Sequence, residues 1–413
     1  MLITENKLDR DVENQYLEIK QAVRVRLQEQ LETEEEGLNE LLEEVLCEYD
    51  KGNRISLHHR RIFKKELFDS LKKLGILQPL LEDEEITEIL VNGTKSIFYE
   101  KGGTLHESER RFQNTEELLD LTQKICSYGN RVVNESSPIV DTRLPDGSRV
   151  NIVLPPASVD GVSISIRKFP KEPLTMKELI AKNAISDEIS QMLDKLVAAG
   201  YNIFVSGSTG SGKTTFLNAL SAYIPKNERV ITIEDSAELQ LHGIKNLIRL
   251  EVRFANFSTV TPITIRDLVR ATLRMRPDRI IIGECRAGET ADFLQCLING
   301  HKGGMGTGHA NSPEDMIKRL ETMCLMSEME LPLSAIRGQI ASGIDLFIHL
   351  GRLRDKSRKV LSVKEVAGIQ EGEVRLHTLF EFRETGEKHG RIQGQWAKCG
   401  ELQNKEKWNL AGF

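Results

Sequence analysis

One run of ten residues, Ser206-Gly207-Ser208-Thr209-Gly210-Ser211-Gly212-Lys213-Thr214-Thr215, constrains this 413-residue chain more than any other. From Gly207 to Thr214 it matches G-x-x-x-x-G-K-[ST], a pattern that works only between a strand and a helix. Both flanks are legible. Tyr201-Asn202-Ile203-Phe204-Val205 reads as a buried strand, and Phe216-Leu217-Asn218-Ala219-Leu220 continues with helical spacing. Glycines let the backbone approach an anion, so that successive N–H groups and the helix N-terminus point at phosphate. Gly207, Ser208, Thr209, Gly210, Ser211, Gly212, Lys213, Thr214 and Thr215 are therefore the nucleotide-binding candidates. Lys213 is expected to reach the β- and γ-phosphates, and the Thr214 hydroxyl to hold Mg²⁺, a hard cation that prefers oxygen ligands.

The length allows two or three domains. With 39% hydrophobic residues and no stretch near ~18 apolar residues, a membrane span is not expected. The start, Met1-Leu2-Ile3-Thr4-Glu5-Asn6-Lys7, lacks a secretory pattern, so a cytoplasmic location is expected. Six cysteines (Cys47, Cys126, Cys285, Cys296, Cys324, Cys399) form no C-x-x-C pair, which argues against a zinc module and against disulfides. A net charge of −6 offers no global attraction to nucleic acid, and none is expected as a partner.

Residues 1–77 are rich in Glu, Lys, Leu and Arg, with Leu17, Val23, Leu27, Leu31, Leu38, Leu41 and Leu42 near helical spacing; a helical N-terminal region is expected. The runs Glu32-Thr33-Glu34-Glu35-Glu36 and His58-His59-Arg60-Arg61 read as solvated helix faces. Residues 78–169 change character: strand-like segments at Ile86–Val91, Ser96–Lys101, Arg149–Leu154 and Val162–Arg167, with a helix at Glu116–Tyr128, indicate a separate α+β domain. Phe169-Pro170-Lys171-Glu172-Pro173 makes a hinge. Residues 170–413 alternate strands with helices, predicting a mostly parallel α/β sheet, and end in a β-rich tail with strands near 346–350, 359–366 and 373–377.

Four further stretches carry the residue types that nucleotide hydrolysis needs. Arg229–Asp235 is an apolar strand ending in Glu234 and Asp235, and the C-terminal end of a parallel strand faces the ligand crevice. Arg276–Glu284 repeats the pattern with Arg286 and Glu289 following; a carboxylate there can polarise the attacking water or hold Mg²⁺ through water, and Glu284 is the candidate general base. Gly300–Ser312 holds His301 and His309 among five glycines, suggesting a mobile sensor of the γ-phosphate. Arg143–Arg149 and Ser165–Lys168 offer guanidinium groups from the preceding domain, as an arginine finger would.

The order of these motifs resembles the type II/type IV secretion ATPase superfamily. Val91-Asn92-Gly93, Arg143-Leu144-Pro145-Asp146-Gly147-Ser148-Arg149-Val150, Ile166-Arg167-Lys168-Phe169 and His309-Ala310-Asn311-Ser312 look closest to the tight-adherence (Flp-type) pilus assembly ATPases. The resemblance covers about residues 80–385. It implies a RecA-like P-loop core preceded by an α+β, PAS-like domain, with ATP and Mg²⁺ as cofactors and Lys213 and Thr214 holding phosphate and metal. It further implies Glu284 as catalytic acid, Glu234 as supporting acid, His301 and His309 as the histidine-box pair, and Arg149 and Arg167 as arginines that approach phosphate. A homohexameric ring at the inner face of the cell membrane, pushing inner-membrane platform proteins, belongs to the same implication. Ser208, Cys285 and Ala287 depart from the family pattern by small changes. The rival readings are a conjugative type IV secretion ATPase, a nucleotide-dependent structural or sensor ring component, and a nucleic-acid motor.

Overall fold

The computed structural model describes residues 10–29, 35–53, 55–169, 173–253 and 261–413. The chain divides into two compact units, Met1–Lys171 and Glu172–Phe413. The proline hinge falls mainly on residues 170–172, and residues 32–34 of the acidic run also lie outside the described residues.

The first unit begins with helices Arg10–Glu29 (α1), Glu35–Asn53 (α2) and Leu57–Lys72 (α3), followed by a short helix Gln78–Glu82 (α4). Ile19, Val23, Leu38, Leu42, Leu46, Phe63 and Leu67 fall on inward faces at helical spacing and close one apolar core. The basic run on α3 is more than a solvated face: Arg60 pairs with Glu43 at 2.8 Å, and the His59 ring stacks on Phe63.

Six antiparallel strands follow: Ile86–Asn92 (β1), Ser96–Lys101 (β2), Thr104–Glu107 (β3), then, after helix Thr115–Tyr128 (α5), Ile139–Arg143 (β4), Arg149–Val153 (β5) and Ser163–Arg167 (β6). Their order is β3-β2-β1-β6-β5-β4. Alternate residues such as Ile89, Val91, Val150, Ile152, Ile164 and Ile166 bury one face with Leu118 and Ile125 of α5, as a one-sided sheet requires. The strand β4 went unanticipated, because Ile139-Val140-Asp141-Thr142-Arg143 is short and exposes Ile139.

The second unit runs Met176–Ala181 (α6), Asp187–Ala198 (α7), Ile203–Gly207 (β7), Lys213–Ser221 (α8), Arg229–Glu234 (β8), Asn246–Glu251 (β9), Ile265–Thr272 (α9), Arg279–Ile282 (β10), Glu289–Ile298 (α10), Met305–His309 (β11), Pro313–Leu325 (α11) and Leu333–Gly343 (α12). It ends with Leu346–Arg352 (β12), Arg358–Gln370 (β13), Glu373–Lys388 (β14), Arg391–Lys398 (β15) and Glu406–Leu410 (α13). The sheet order is β15-β14-β13-β12-β7-β11-β10-β8-β9. From β12 to β9 every pairing is parallel, and the tail strands β13 to β15 add antiparallel. Both faces of the parallel part are covered, so β7 and β10 are buried throughout and read as unbroken apolar runs.

One expectation is overturned. The glycine-rich stretch 300–312 is not a loop throughout: residues 305–309 are the parallel strand β11, between β7 and β10. The strand glycines Gly306 and Gly308 serve packing. A Cβ on Gly308 would lie 2.8 Å from Met316 Sδ and 3.0 Å from Phe204, closer than real contacts allow.

Candidate active site

Parallel pairing brings the C-terminal ends of β7, β8, β10 and β11 to one edge of the sheet, with His309 opposite Gly207. The phosphate loop leaves β7 at that edge and enters α8. Gly212 caps α8 in the left-handed region (φ 92°) and supplies no side-chain acceptor, so the first N–H groups of α8 stay available to an anion. The neighbouring helix α7, by contrast, starts with Ser186 accepting from the Ile189 N–H. Inside the loop Ser211 Oγ is buried without a hydrogen-bond partner. An orphaned hydroxyl of this kind is costly unless a polar ligand completes it.

Lys213 is buried (7% exposed) and donates from Nζ to the carbonyls of Gly207 and Ser208, both at 3.0 Å. Burial pushes its pKa down, the Glu284 carboxylate opposes this, and the guanidinium of Arg319 on α11 adds to the depression. His309 lies 3.3 Å from Lys213 Nζ through Nδ1 and 2.9 Å from Glu284 Oε1 through Nε2. Burial lowers the His309 pKa despite Glu284, with Lys213 and Arg319 also lowering it, so the ring is neutral near pH 7. The hydrogen bonds assign the tautomer: Nε2–H donates to Glu284, and Nδ1 accepts from Lys213.

Glu284 is half-buried, two residues past the end of β10, and its second oxygen accepts from Arg286 at 2.8 Å. Arg286 also pairs with Asp235 at 3.0 Å, so the guanidinium bridges the ends of β8 and β10. Glu289 holds this turn by accepting from the Arg286 and Ala287 N–H groups at 2.7 and 2.8 Å.

Glu234, expected as a supporting acid, holds the backbone of the turn after β8. It is 3% exposed, still within β8, and Oε2 accepts the backbone N–H groups of Glu238 and Leu239 at 2.7 and 2.8 Å. Oε1 is buried without a partner. Burial raises its pKa to about 7 against the lowering effect of those two N–H bonds. Its function in the geometry is to fold the following turn back. That turn presents Glu238, whose Oε2 lies 3.5 Å from the Thr214 hydroxyl.

His301 is not brought to the loop. It precedes β11, whose C-terminal residue is the one opposite Gly207, so it sits at the other end of the strand. Four strand steps alone separate Met305 from His309 by roughly 13 Å. Arg149 and Arg167 belong to the first unit and are directly paired across β5 and β6. Sequence reasoning missed three residues of the second unit. Glu238 stands three residues past Asp235 outside any motif, Arg319 lies on α11, and His349 of β12 was read only as part of a strand. Burial lowers the His349 pKa, and its Nδ1 shares a hydrogen bond of 2.9 Å with Ser206 Oγ while the ring also bonds the Asn311 backbone. Two residues that begin the loop and follow His309 thus share one buried imidazole.

Comparison with known proteins identifies the family. A family model described as Type II/IV secretion system protein matches residues 70–398. The putative conjugal transfer protein Rv3659c of Mycobacterium tuberculosis (strain ATCC 25618 / H37Rv) is 32% identical over 334 residues, covering 79% of this chain and 92% of its own length. The type IV secretion system protein PtlH of Bordetella pertussis is 34% identical over 302 residues, covering 68% and 89%. Among solved structures, the pilus retraction motor PilT with bound ADP aligns with TM-score 0.53 at 22% identity, covering 73% of this chain and 84% of that one. That last likeness speaks to the fold alone.

Proposed function

The chain belongs to the type II/IV secretion system protein family and is an ATP-hydrolysing motor for secretion or pilus assembly, and from that premise we propose that it drives a tight-adherence (Flp-type) pilus machine. In this reading it works as a homohexameric ring at the inner face of the cell membrane, pressing on inner-membrane platform proteins. Among the described residues no helix is long and apolar enough to cross a membrane, so such a ring would reach the bilayer through partners.

The observation that carries the catalytic reading is the contact set of His309, which touches Lys213 and Glu284 at once. Lys213 neutralises the β- and γ-phosphates once ATP displaces its two carbonyl partners. Glu284 orients and deprotonates the attacking water, while His309 and Arg286 hold its two oxygens in place. His309 reports the γ-phosphate because both its partners respond to it. Thr214 and Glu238 supply the oxygen donors that suit Mg²⁺, and two protein oxygens are what a cation held mainly by phosphates and waters needs. Bound there, Mg²⁺ would neutralise charge on the β- and γ-phosphates. Arg149 and Arg167 are the arginines we assign to the phosphates in the assembled ring, and their pairing across β5 and β6 lets them act together.

The test is Glu284→Gln, which keeps size and one of the two acceptor oxygens but removes the base. It is expected to bind ATP normally and to lose steady-state turnover and surface pili; unchanged turnover would overturn the assignment. The names of the two relatives favour a second reading, a conjugative or other type IV secretion motor. A deletion strain that loses surface fibres and keeps DNA transfer supports the pilus reading, and the reverse supports its rival.

A further inference from the structure

The phosphate loop is held from outside as well as from within. Arg358, the first residue of β13, donates from Nε to the Gly210 carbonyl at 2.8 Å. Its Cδ stands only 3.3 Å from where a Cβ on Gly212 would lie, so the side chain lies along the loop. The consequence follows from peptide geometry. A trans peptide is planar with its C=O and N–H pointing opposite ways. With the Gly210 oxygen turned out to Arg358, the Ser211 N–H is turned in, where it meets the Ser208 carbonyl beside Lys213 Nζ. A phosphate cradle needs that orientation, because inward carbonyls would repel the anion.

The position of Arg358 is itself fixed by the C-terminal tail. Residues 352–358 form the turn between β12 and β13. Asp355 accepts there from Ser357 N–H at 3.0 Å and from the Ile392 N–H of β15 at 2.9 Å. Arg354 grips Glu384 and Glu387 of β14. The next residue, Lys359, is buried beneath the Phe382 and Trp396 rings and donates to Asn183 O at 2.7 Å. The guanidinium thus stands on a base built by β14 and β15.

We propose that Arg358 is a positioning residue for the phosphate loop, holding the Gly210–Ser211 peptide carbonyl-out, and that the β14–β15 tail sets affinity for nucleotide phosphate through it. The inference rests on residues 207–215 being the nucleotide cradle. It makes the tail a lever on ATP affinity, separate from the groups that act on the γ-phosphate.

The test is equilibrium binding of ADP and a non-hydrolysable ATP analogue to the full chain, with KM and kcat measured alongside. Arg358→Ala is expected to weaken both nucleotides about five- to tenfold, the range for one charge-assisted hydrogen bond at a partly exposed site, with the loss falling on KM. Arg358→Lys keeps a cationic donor and should recover most of that loss. Asp355→Ala, which loosens the turn without touching the loop, should weaken binding about threefold. Lys213→Ala serves as the reference and should abolish binding. If Lys213→Ala fails to bind while Arg358→Ala and Asp355→Ala bind as wild type, this inference alone is overturned, even if their melting temperatures fall. Normal binding by Lys213→Ala would overturn the cradle reading and this inference with it.

Discussion

The ends of β8 and β10 look alike in sequence and differ in what they do. Each is an apolar strand closed by an acid at the same edge of a parallel sheet. Glu234 is the last residue of β8, sealed from water, with one oxygen given to two backbone N–H groups. Glu284 lies beyond the last residue of β10, half-buried, between His309 and Arg286. A shift of two residues past the strand end turns a loop-holding carboxyl into one that faces the phosphate loop. Gly283 stands where the two meet, since a Cβ there would lie 2.8 Å from Glu234 Cγ.

If this contrast is right, Glu284→Gln should lower turnover by roughly 10²–10⁴-fold, the usual contribution of a general base, with ATP affinity retained. Glu234→Gln should act on folding instead. Glu234 has a folded-state pKa raised to about 7, so between its ordinary value of 4.5 and about 7 the folded state binds the extra proton. Stability from this group is therefore full below pH 4.5 and lost as pH rises through 7. The loss is on the order of 3 kcal/mol. Denaturant titrations at pH 5 and pH 8 should show that slope in the wild type and lack it in Glu234→Gln.

Gly283→Ala forces a methyl against Glu234 and should cost about 1–3 kcal/mol of stability, read as a lower denaturation midpoint. The smallest effect on folding should come from Arg286→Ala. Its ion pairs with Asp235 and Glu284 are partly exposed, and removing them should change stability by less than about 1 kcal/mol while slowing turnover.

Much of this was legible in the sequence, for reasons that the structure makes plain. The strand–loop–helix order around residues 207–215 was readable because the motif fixes particular residues at set spacing, and β7, β8 and β10 because strands covered on both faces must be apolar throughout. Glu284 was readable as an acid leaving such a strand. What failed to show were features decided by packing between distant segments. The strand β11 looks like a loop because Gly306 and Gly308 were selected by Phe204, Phe293 and Met316, side chains that sequence does not place beside them. His301 looked equivalent to His309 because spacing along the chain does not say which end of a strand each occupies. Glu238 stayed hidden because its approach to Thr214 depends on a turn folded back by Glu234.

Single-turnover hydrolysis of pre-bound ATP, compared among wild type, Glu284→Gln, Glu238→Gln and Glu234→Gln at pH 7, measures the chemical step apart from binding and assembly. The account predicts that Glu284→Gln is slowed at least a hundredfold, that Glu238→Gln is slowed less and regains rate at raised Mg²⁺, and that Glu234→Gln stays within about tenfold of wild type. A Glu284→Gln rate near wild type, or a loss concentrated in Glu234→Gln, would contradict it.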